Sequence, residues 1–165
     1  MKLKTVSTTI ITVIIVVISS WLLSPLWKDT RVDEVFPTPT TSVRVGDEGA
    51  IKPSQSEASP TIVAVGVFSG FDSLHNGSGT VKLITDNTKT YIRFEPDFKV
   101  TNGPDLYVGL GKNGKYMASA EIAPLKGNLG SQNYLLPDTV NISEYNEVWV
   151  WCKAFSVPFA RAILK

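Results

Sequence analysis

Between residues 61 and 165, apolar and polar side chains alternate in short runs separated by clusters of turn-forming residues. The runs are TIVAVGVF (61–68), TVKLIT (80–85), TYIRFE (90–95), DLYVGL (105–110), YMASAEI (116–122) and YLLP (134–137), followed by EVWVWCK (147–153) and ARAIL (160–164). A period of two sends successive side chains to opposite faces of an extended chain, so each run predicts a strand. Asn76-Gly77, Asn102-Gly103-Pro104 and Lys112-Asn113-Gly114 predict turns between them. No convincing helical period interrupts the series. Strands spaced by about 8 to 12 residues predict an all-β domain, an antiparallel β-sandwich or a barrel-like closure of it. ARAIL is expected to add a last strand at an edge. In residues 147–153, Val148, Val150 and Cys152 fall on one face and Trp149, Trp151 and Lys153 on the other. Both faces are apolar up to the lysine, which predicts a central strand covered on two sides.

The pattern upstream is different. Residues 5–23, TVSTTIITVIIVVISSWLL, carry no charge and follow a short basic start with Lys2 and Lys4. A helix needs roughly 20 apolar residues to cross a bilayer, and this run reaches that length. Trp21 and Trp27 lie near its far end, where amphipathic rings favour the headgroup layer. Ile18-Ser19-Ser20 is a poor cleavage site, so residues 1–27 are expected to remain as an uncleaved signal anchor with a single membrane span. The expected placement is a cell membrane protein with its domain on the extracytoplasmic side, although Lys28 and Arg31 partly balance Lys2 and Lys4. Residues 28–60 include FPTPTTS and KPSQSEASP, rich in Pro, Ser and Thr and short of large apolar residues. Such a segment cannot bury enough surface to fold alone and predicts a disordered stalk. The domain is expected to span residues 61–165.

Charge narrows the function. The chain carries 16 basic and 15 acidic side chains, a net charge of +1, with no run long enough to act as a basic tail. Nucleic acid is therefore not an expected partner. One cysteine forbids an intramolecular disulfide, and one histidine and two methionines supply no conventional multi-ligand metal site. There is no nucleophile elbow, phosphate loop or paired-carboxylate signature, so an accessory module is expected rather than a self-contained enzyme.

Four blocks carry a specific likeness: GTVKLI, YIRFEPDFKVTNGPDLYVGL, APLKGNLGSQNYLLP and YNEVWVWCKAFSVPFARAIL. Together they resemble the DM-thirteen domain family, which occurs in animal Skeletor-type surface proteins and in bacterial envelope proteins. The resemblance spans roughly residues 63–164 and implies an all-β domain. It also implies electron transfer through a single characteristic cysteine, acting as a free thiol or by holding a prosthetic group. Here that position is Cys152. A lone thiol could also serve as one axial ligand of a haem, with His75 or Met117 as the second, and a redox protein partner would complete the circuit.

Each candidate has a plainer role. Cys152 could simply fill the core, since free cysteine is among the most buried residue types. A reactive thiol needs exposure and a nearby cation, and Lys153 on a strand would point away from it. His75 lies in a Gly- and Ser-rich loop, where solvent and turn roles are common, and Asp105 follows Gly103-Pro104 where a carboxylate caps a turn. Trp149 and Trp151 are expected to pack rather than to relay electrons. The rival function is a surface binding or adhesion module with Cys152 as inert core.

Overall fold

The computed structural model describes residues 11–15, 18–19, 28–37, 59–86 and 89–165. Among these residues nine strands form: β1 (Thr61–Gly70), β2 (Gly77–Asp86), β3 (Lys89–Phe94), β4 (Lys99–Val100), β5 (Leu106–Lys112), β6 (Lys115–Pro124), β7 (Gln132–Leu135), β8 (Glu147–Cys152) and β9 (Val157–Ile163). One turn of 3-10 helix at Ile142–Glu144, capped by the Asn141 side chain, precedes β8. All strand pairings are antiparallel, and the sheet runs β6-β5-β8-β9-β1-β2-β3-β7, with the short β4 attached to β2.

The all-β expectation holds, and of its two forms the barrel-like one is found rather than the sandwich. Among the described residues one ladder crosses every strand and no second sheet faces the first; the sheet curls into a half-barrel around a single core. The chain after residue 157 is corrected. It forms β9, which lies between β8 and β1 in the interior of the sheet. Side chains facing into the curl supply that core: Phe68 from β1, Val81 and Leu83 from β2, Ile92 and Phe94 from β3, Val108 and Leu110 from β5, Val148 and Val150 from β8. Phe68, Phe94 and Phe98 pack edge-on or tilted within 5.3 Å of one another, geometry that aromatic quadrupoles favour. The predicted turn at Asn113-Gly114 is the β5–β6 hairpin, with both residues at positive φ, as a tight hairpin of this hand requires.

Residues 28–37 were expected to begin the disordered stalk. Instead they dock on the domain. The Val32 and Glu34 amides donate to the Leu129 and Ser131 carbonyls at 2.9 Å, and the Thr30 amide donates to Asn128 Oδ1. The Glu34 carboxylate accepts from Lys126 Nζ at 2.7 Å and from the Asn133 amide at 2.8 Å, and Phe36 packs edge-on against Tyr91. This strap lies against β7, whose outer edge would otherwise offer unpaired backbone groups. A Cβ at Gly130, where φ is +87°, would collide with the Val32 carbonyl, so the close approach needs glycine there. Of the segment expected to cross a membrane, residues 11–15 and 18–19 are helical and the remainder lies outside the described residues. No helix among the described residues is long and apolar enough to cross a membrane.

Candidate functional site

β8 lies between β5 and β9, which places Cys152 opposite Leu106 on one side and Val157 on the other. The alternation works out as its spacing predicts. Val148, Val150 and Cys152 face the core, and Trp149 and Trp151 face outward. Cys152 is 0% exposed, and its thiol is free and without a hydrogen-bond partner among the described residues. The Lys153 ammonium is engaged elsewhere, 2.8 Å from Glu121 Oε1 and 4.6 Å from the centre of the Tyr107 ring. The thiol therefore sits in an apolar shell without this cation, the opposite of the setting that makes a cysteine nucleophilic.

His75 closes the loop between β1 and β2. Its Nδ1 donates to Asp72 Oδ2 at 2.8 Å, and the backbone amides of His75 and Leu74 donate to the other carboxylate oxygen. The hydrogen bond from the His75 ring, with those amides, holds the Asp72 carboxyl below its usual range. The ring edge rests on Phe159 at 4.8 Å. Phe159 is the extra residue of a bulge in β9, where Val150 pairs with Ala160 and Trp151 with Pro158. The bulge turns Phe159 into the core beside Ala160. Among the described residues no hydrogen bond joins His75 to Cys152.

Met117 is also remote. It follows Tyr116, which is opposite Gly111, which in turn is opposite Glu147 at the far end of β8 from Cys152. At about 3.3 Å per residue, that separation along the strand is about 16 Å. A haem held by Cys152 would need an open face beside the thiol for the macrocycle. The sealed thiol does not fit haem. Asp105 is nearer, its carbonyl accepting from the Lys153 amide at 2.9 Å, and it lines an open cleft of about 410 Å³ with Asn102, Lys126 and Asn128.

The outer face of the sheet holds an arrangement that the sequence alone did not show. Tyr116 and Trp151 stack with centroids 4.7 Å apart and planes within 2°; Trp149 meets Trp151 at 6.4 Å and Tyr116 at 6.5 Å. Phe71 stacks on Trp149 from the β1–β2 loop at 5.6 Å, and the Arg161 guanidinium lies 5.7 Å from the Trp149 ring. Two glycines in β5 make room. A Cβ at Gly109 would strike the Tyr116 ring, and one at Gly111 would strike Trp149 Nε1. Two of these side chains donate to a carboxylate: Trp149 Nε1 to Glu147 Oε2 at 3.0 Å, and the Tyr116 hydroxyl to Glu121 Oε2 at 3.3 Å. Burial first, and then the Glu121 charge, push the Tyr116 hydroxyl well above the usual tyrosine range. A groove of about 590 Å³ opens over Phe71, Tyr116, Trp149 and Trp151. The tryptophans thus pack as expected, but on the outside of the curl and apart from the main core.

The family model described as Electron transfer DM13 matches residues 70–164. No curated protein and no solved structure gives a significant match.

Proposed function

Because the chain belongs to the DM13 electron-transfer family, we propose that it is an electron-transfer module held at the outer side of a membrane by its amino-terminal segment. The match over residues 70–164 carries the redox part, since it takes in β2 to β9 and Cys152. The uncharged run at residues 5–23 behind Lys2 and Lys4 supports the membrane part. Cys152 is the redox group of this reading, exchanging electrons with a redox protein partner. Its burial sets the terms: electrons reach the thiol through the protein, and thiol–disulfide exchange with another molecule does not occur in the native state.

A second reading rests on that same burial. A thiol that is 0% exposed and without a hydrogen-bond partner is what an inert core residue looks like, and the module would then bind a surface ligand. Electron exchange between the purified chain and a soluble one-electron dye, compared with Cys152→Ala, separates the two. Loss of exchange in the variant, with the fold retained, supports the redox role of Cys152. Unchanged exchange assigns the electrons to other groups, and absence of exchange in both proteins favours the binding module. Fractionation of cells expressing the full chain, with protease added from outside, tests the placement. A chain found in the soluble fraction, or shielded from the protease, would overturn it.

A further inference from the structure

We infer that Tyr116 on the outer face of the sheet is a proton-coupled one-electron redox site, with Glu121 as its proton acceptor and Trp151 as its stacked neighbour. The inference deepens the electron-transfer reading by naming where charge crosses the surface, and its biological use rests on that reading.

A phenol that loses an electron becomes a strong acid, so its oxidation is easy only where a base can take the proton in the same event. Among the described residues, Tyr116 is the tyrosine whose hydroxyl donates to a carboxylate. The Tyr134 hydroxyl donates instead to the Gln132 side-chain amide oxygen, a poor proton acceptor. Glu121 is held in place from its other oxygen by Lys153 at 2.8 Å, so the acceptor is pre-positioned. The raised Tyr116 hydroxyl keeps its proton at neutral pH and remains a donor to Glu121. Glu121 and Tyr107 are the titratable groups that act on it, and Lys153 is paired with Glu121.

In the forward step, Tyr116 gives one electron to a high-potential one-electron acceptor, of the class of a high-valent metal centre in a partner protein. The phenolic O–H bond breaks, and the proton forms an O–H bond with Glu121. A neutral tyrosyl radical and a protonated Glu121 result, and a one-electron donor reverses both changes. The Trp151 ring, parallel to that of Tyr116, is carried by β8 itself, one residue before Cys152.

The test is flash oxidation of the full chain by a photogenerated trivalent ruthenium polypyridyl complex, following tyrosyl radical by its visible absorption and by electron paramagnetic resonance. Tyr116→Phe is expected to remove the fast tyrosyl component. Glu121→Gln keeps the shape but not the basicity, and is expected to slow radical formation about a hundredfold, the lower end of what a positioned proton acceptor contributes. Fast tyrosyl formation that persists in Tyr116→Phe, or an unchanged rate in Glu121→Gln, overturns the inference. Cys152→Ala keeps the two ideas apart. A fast component that survives in this variant, alongside unchanged exchange in the dye assay, leaves Tyr116 standing while Cys152 falls. Loss of that component in Cys152→Ala with its near-ultraviolet spectrum intact overturns the direct role of Tyr116.

Discussion

Adding one methyl group at Gly111 would drive it into the Trp149 indole and the Lys115 carbonyl. Gly111→Ala is therefore expected to cost about 1–3 kcal/mol, the usual penalty for overpacking. It should also alter the near-ultraviolet dichroism of the tryptophans, and a denaturant midpoint equal to that of the native chain would show that the aromatic layer yields freely. Cys152→Ala, by contrast, removes one atom from a filled core, and a loss of about 1–2 kcal/mol is expected by denaturant unfolding. At this scale the opposed facing of Cys152 and the two tryptophans was legible, because period-two alternation depends only on neighbours in the chain. The position of Tyr116 was not. Pairing between β5 and β6 slips between Gly109 and Gly111, so no count along either strand places the Tyr116 ring over Trp151.

Among the elements, the strap of residues 28–37 departs furthest from what its composition promised. Low apolar content says only that a segment cannot fold alone, and the partners of this one lie about a hundred residues away at Asn128, Ser131 and Asn133. Residues 127–131 are where it docks. Burial alone would push the Glu34 carboxyl up, but the Lys126 ammonium and the Asn133 amides outweigh it and hold it below its ordinary range. A carboxyl lowered by folding stabilises above its unfolded range and ceases to do so as pH falls through its folded value. Glu34→Gln is thus expected to reduce protection of the Val32 and Glu34 amides from hydrogen exchange near neutral pH. The difference from the native chain should fade once the medium is acidic enough to protonate Glu34. Equal protection at neutral pH would show that the backbone ladder holds the strap without this carboxylate.

For the molecule as a whole, strand count and turn spacing gave the class, but a sandwich and a half-barrel share both signals. What decides between them is which strands pair, and the insertion of β9 between β8 and β1 is a long-range choice that periodicity does not encode. The two free edges are handled differently. β6 pairs irregularly with β5, whereas β7 relies on the strap. A chain beginning at residue 61 is expected to melt below one beginning at residue 28, by roughly 4 °C or more for each kcal/mol the strap supplies. It should also associate more readily through its bare β7 edge. Matching melting temperatures and matching sedimentation of the two chains would contradict both expectations.

Suppose the first 27 residues are moored in a bilayer, as proposed. A free leash of residues 28–60, at about 3.3 Å per residue, would let the domain roam about 110 Å from its mooring. Asp29, gripped by Asn102 and Asn128, shortens the leash almost to nothing. The domain would then ride at one height, with the Asn102–Asn128 end turned down toward the lipid. Its visitors would have to arrive from the flank, as ships come alongside a quay rather than to a buoy swinging on its chain.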